Sequence, residues 1–157
     1  MRRIVPLFLA LATLAAHPTG ASEPGSHQHG KPDDSRKPLV FNSEEAAHVR
    51  QEMRLFLVSV KKIVTAAADN DMKMVAEAAS EAGLAAAHQV PAGLRAKLPL
   101  EFKQLGHATH VGFDDLARDA ASLGDANLAM KQLGQVMQNC VSCHASFRIA
   151  ATKAKAR

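Results

Sequence analysis

From Ser43 onward the apolar residues of this chain fall every three or four positions, the period of helices with one buried side. Met53, Phe56, Leu57, Val60 and Val64 mark the stripe of a first helix. Ser43 is its expected cap, and Glu44 and Glu45 sit at the positive end of its dipole. Asp69-Asn70-Asp71 ends that helix and starts a second over 72–87, with Met74, Val75, Ala78, Ala79 and Ala82 on one side. Pro91, Gly93 and Pro99 make 89–99 a loop with space for one helical turn at Leu94. A third helix begins near Leu100, carries Phe102, Leu105, Phe113, Leu116 and Ala120, and stops at Leu123-Gly124. Asp125 then caps a fourth, which is expected to run from Ala126 to near Lys153 through Leu133, Met137, Cys140, His144 and Phe147. No stretch alternates strictly, so no sheet is predicted. The first and last connections are short and imply antiparallel neighbours, while the middle one is long enough to cross. The pattern predicts an all-α fold, an antiparallel four-helix bundle over 41–157.

The residues before the first helix read differently. Arg2 and Arg3 precede an apolar stretch from Ile4 to Ala16, too short to span a bilayer, and Thr19-Gly20-Ala21 offers small residues before Ser22. Residues 1–21 are therefore expected to be an export signal, and the mature chain to be periplasmic with no membrane span. Residues 22–40, rich in Pro, Gly, Ser, Lys, Asp and His, are predicted as a disordered linker in which His27 and His29 are solvated. Losing Arg2 and Arg3 lowers the formal charge from +4 to about +2. With no interleaving of aromatic and basic residues, nothing suggests nucleic-acid binding.

The chemistry is concentrated in Cys140-Val-Ser-Cys143-His144, which uses both cysteines of the chain. Cys-x-x-Cys-His is the spacing of c-type haem attachment. Each thiol forms a thioether to one vinyl group, and the adjacent histidine becomes the proximal iron ligand. A zinc site needs two more ligands at matching spacing, and no second Cys pair exists. A redox dithiol belongs after a strand in a βαβ setting, which the pattern lacks. One covalent haem c on the last helix is the expected cofactor, and a small core lacking Trp and Tyr gains from it.

A haem motif on the C-terminal helix of a bundle resembles the class II cytochromes c, the cytochrome c′ and c-556 group. The resemblance covers about residues 43 to 150. It includes Phe147-Arg148 just after the histidine, and Val49-Arg50-Gln51 on the first helix. It implies that the sixth iron ligand, or the side chain blocking that position, lies soon after Arg50. The family's usual position falls nearer Arg54, but Arg cannot ligate iron and Met53 opens the apolar stripe, so Met53 is the expected ligand. Arg148, one turn beyond His144 on the same helix face, and Arg50 are expected to meet the haem propionates. His107 and His110 are rival distal ligands, with a structural role favoured for both; His48 and His88 are expected at the surface. The group often dimerises through its first two helices, which makes a homodimer a further expectation.

These residues point to an electron carrier serving redox partner proteins, with Lys153, Lys155 and Arg157 available to steer an acidic one. No acid–base constellation suggests an enzyme. The alternative is a gas-binding protein of cytochrome c′ type with an open distal face. A peroxidase-like enzyme would need a distal His or Arg over open iron, and His110 is its one interesting candidate.

Overall fold

The computed structural model describes residues 34–151. The expected signal at 1–21, His27 and His29, and the basic end at Lys153, Lys155 and Arg157 lie outside the described residues. Those from Ser35 on belong to one unit, mostly helical, in which several helices pack together.

Helix α1 (Ser43–Ala68) is capped one residue earlier than expected. Asn42 Oδ1 accepts the Glu45 N–H at 2.8 Å, and the Glu45 carboxylate accepts the Asn42 N–H at 3.0 Å. This reciprocal box needs an acidic or amide side chain three residues after the cap, which Asn42 has and Ser43, followed by Ala46, does not. A left-handed Asn70 turns the chain into α2 (Met72–Ser80), whose cap Asp71 accepts from Met74 N at 2.9 Å. The expected helix over 72–87 is broken after Ser80. The Asp114 carboxylate stands where a Cβ on Gly83 would be and accepts the Leu84 N–H at 3.0 Å, capping the short α3 (Leu84–Ala87). Helix α4 (Ala92–Lys97) occupies the middle connection. Helices α5 (Leu100–Leu123) and α6 (Ala126–Ser146) follow, joined through left-handed Gly124 and the cap Asp125, where they were expected.

Two expectations fail at the ends. Helix α6 stops at Ser146, not near Lys153, and a two-stranded parallel sheet forms where none was predicted. Strand β1 (Lys37–Phe41), largely within the expected linker, pairs with β2 (Phe147–Ala151), from Lys37 opposite Phe147 to Phe41 opposite Ala151. In β1, Leu39 and Phe41 are buried while Val40 is exposed, a period of two too short to stand out against the helices.

The main core joins α1, α2, α5 and α6 around Ile63, Val75, Phe113, Leu116 and Leu133, all essentially excluded from solvent. Each contributes roughly 1.5–3 kcal/mol relative to exposure. A second cluster gathers Leu39, Phe41, Ala46, Val49, Leu94 and Phe147, with Phe102, Leu105 and Cys143 at its edge. Phe102 meets Phe147 edge-on at 5.5 Å. Helices α1 and α2, α2 and α5, and α5 and α6 pack closely, whereas α1 meets α6 sparsely.

Candidate functional site

The sparse edge between α1 and α6 carries the chemistry. Lys62 on α1 pairs with Glu81, just past α2, at 2.7 Å, so its flank faces α2. Met53, Leu57 and Val64 lie roughly half a turn away around the helix, at ~100° per residue, on the flank toward α6. On α6, Gln132 donates to Asp119 of α5 at 2.6 Å and Val136 closes on Gly112, where a Cβ would come within 2.7 Å of it. Met130, Met137, Val141 and His144 occupy the other flank, toward α1. Leu57 and Val64 were expected in the core but are 69% and 43% exposed, and Met130, Met137 and Val141 are exposed as well. Among the described residues, exposed apolar side chains thus line the facing flanks of α1 and α6, the two sides of a seam.

The level along the seam follows from two sets of neighbours. Cys143 and Leu105 both border the buried cluster that holds Val49. Gly112, under Val136, adjoins Phe113, which stacks on Phe56 at 5.8 Å. Helix α1 therefore runs from Val49 to Phe56 as α6 runs back from Cys143 to Val136, and Met53 falls at the level of Cys140. Met53 is half-buried; Arg50 and Arg54 are exposed.

Both cysteines are half-buried thiols near the end of α6, with Cys140 Sγ 3.8 Å from the Val136 carbonyl. Burial pushes both thiols up from their ordinary range, and Cys140 adds to the effect on Cys143. Among the described residues no three His, Cys, Asp or Glu side chains converge as a metal-binding set. His144 is exposed at the last turn, and the Arg36 guanidinium donates to its carbonyl at 3.3 Å. Arg36 was not anticipated; its only signal was a cation just before an apolar triplet. Arg148 is not one helical turn beyond His144. It lies half-buried in β2 opposite Pro38, because the helix has already ended.

His110 is buried, at 4% exposure, and its ring is held on both sides. Nδ1 lies 2.8 Å from the Ala82 carbonyl and so donates to it; Nε2 lies 3.6 Å from the Glu52 carboxylate. The Phe56 ring covers it at 5.1 Å. Burial opposes a charge on this imidazole, but the contacts with Glu52 and the backbone outweigh it, and its pKa stands above the ordinary value. The Nδ1 bond and the Glu52 carboxylate beside Nε2 make His110 a buried link between helices. His107 and His88 are exposed, and His48 is half-buried.

A flat apolar group with an acidic edge suits this arrangement. Helix α6 supplies two half-buried thiols three positions apart and an exposed imidazole beside them, and α1 supplies a half-buried thioether at the same level. Among the described residues no helix is long and apolar enough to cross a membrane. No family model matches this chain, and neither does any curated protein or solved structure among those compared.

Proposed function

We propose that this chain is a periplasmic electron carrier, a four-helix bundle of the class II cytochrome c kind bearing one haem c. Cys140 and Cys143 would hold the group covalently, and His144 and Met53 would be its iron ligands. The bound haem supplies a one-electron couple; the protein supplies everything that tunes it. The apolar walls exclude water, which disfavours the more highly charged oxidised centre, and a thioether opposite an imidazole shifts the couple the same way. Arg50, exposed on the Met53 side of α1, and Arg148 are the cations assigned to the propionates. Delivery to redox partner proteins, and dimerisation through the first two helices, come with the resemblance.

The observation that carries this reading is the uncovered apolar seam between α1 and α6, at the level of the Cys-x-x-Cys-His run. The chain is to be expressed with a haem-attachment system and the product denatured. Haem that stays with the polypeptide, and is lost in Cys140→Ser/Cys143→Ser, supports attachment; extractable haem or none overturns it. A methionine–iron charge-transfer band without carbon monoxide uptake supports the carrier. High-spin spectra with ready uptake instead make it a gas-binding protein of cytochrome c′ type.

A further inference from the structure

Glu52, the residue immediately before Met53, is tied to a buried partner. Its carboxylate lies 3.6 Å from Nε2 of His110, and Nδ1 of the same ring donates to the Ala82 carbonyl at 2.8 Å. One imidazole therefore joins three elements: α5, which carries it; α1, through Glu52; and the chain just after α2, through Ala82. The Nδ1 bond is directional, and the Nε2 contact with Glu52 is an ion pair when the ring is protonated. A ring whose Nδ1–H is committed to a carbonyl has a lone pair left at Nε2 when neutral, facing a carboxylate; protonation turns that opposition into a charge-assisted contact. Phe56, one turn on from Glu52, covers the ring at 5.1 Å and itself stacks on Phe113 of α5 at 5.8 Å. Glu52 and Phe56 thus fix α1 in rotation and in height against α5.

That constraint has a consequence on the other flank of α1, where, among the described residues, the helix meets α6 sparsely. Adjacent residues on a helix are ~100° apart, so a helix that cannot roll at Glu52 cannot roll at Met53. We propose that the His110–Glu52 pair is a positioning device for the distal face, presenting Met53 to the seam so that the sixth position is closed by the protein's own thioether rather than left to an outside ligand. This rests on the haem c reading of the seam. Neither Glu52 nor His110 ligates iron in it; both act through Met53.

The test compares haem-loaded wild type with Glu52→Ala, Glu52→Gln, His110→Asn, His110→Gln and Met53→Ala. Glu52→Gln restores pairing, since its amide donates to the neutral Nε2; Glu52→Ala leaves the ring without that partner. Glu52→Ala is expected to weaken the methionine–iron band. It should also raise the apparent affinity for carbon monoxide in the ferrous protein by about tenfold or more, because uptake scales with the fraction of molecules whose methionine has left the iron. Glu52→Gln should return both toward wild type, and Met53→Ala sets the fully open limit. Should Glu52→Ala not fold, His110→Asn, whose shorter side chain ends short of Glu52, is expected to show the same pair of changes, while His110→Gln, which keeps an amide near the Nε2 position, should stay nearer wild type. The inference is overturned if folded Glu52→Ala or His110→Asn, with unchanged helical content, keeps the wild-type band and carbon monoxide affinity. It is equally overturned by a wild type that attaches haem but shows no methionine band. A wild type that attaches no haem overturns the function proposed above and this inference with it.

Discussion

Two neighbouring residues of α1, Glu52 and Met53, lie on different sides of the helix. Glu52 faces inward to His110, while Met53 belongs to the flank facing α6. The imidazole's raised pKa gives the pair a pH signature. A histidine whose folded pKa stands above the unfolded value near 6.5 contributes stability that is full below that value and is lost as pH rises through the folded pKa. Urea midpoints of the wild type are therefore expected to fall from pH 6 toward pH 8, and His110→Gln to lose that slope at equal haem content. Parallel pH profiles would refute it. The other shifts fall outside this window, that of Arg118, raised by Asp115 and Asp119, far to the basic side. The depressed Glu45 carboxyl, bound by Lys97, acts on the acid side, and the raised thiols act above the usual thiol range. At this scale the sequence was legible where chemistry is local. The Cys140, Cys143 and His144 spacing needs only one helix, and His110 was expected to be structural. Arg148 was misplaced because its assignment assumed a helix that stops at Ser146.

At the scale of elements, most helix boundaries were readable because caps and breakers act over three or four residues. Asp71, Gly124 and Asp125 stand where the pattern put them. The α1 start differs by one residue, for a reason that a denaturation curve can detect. Asn42→Ala is expected to cost about 1 kcal/mol by removing a capping box, whereas Ser43→Ala should stay within about 0.5 kcal/mol. Equal losses from both would place the cap at neither residue alone. The sheet was hidden for a different reason. Strands β1 and β2 are five residues each and pair across more than a hundred intervening positions, so neither carries enough alternation to be seen without its partner. The break in the second helix was equally non-local, since it depends on Asp114 of α5 filling the space beside Gly83.

For the molecule as a whole, the seam between α1 and α6 is the feature with functional weight. Leu57, Val64, Met130, Met137 and Val141 are all exposed along it or at its rim. A covalent group covering them would remove apolar area worth ~25 cal/mol per Å². The Cys140→Ser/Cys143→Ser chain is therefore expected to bind a hydrophobic dye such as ANS more strongly than the haem-loaded protein, and to melt at least about 5 °C lower. Equal dye binding and equal melting would mean that the seam is not where the group sits. By itself the sequence determined most helix starts, the caps Asp71 and Asp125, the stop at Gly124 and the Cys-x-x-Cys-His spacing, because each is encoded within a few turns of chain. Only the tertiary structure decided that Leu57 and Val64 stay outside the core and that Glu52 is locked to His110. It also brought the strand before α1 back to the residues after His144. Those outcomes depend on which helix flanks meet, and residues far apart in the chain settle that together.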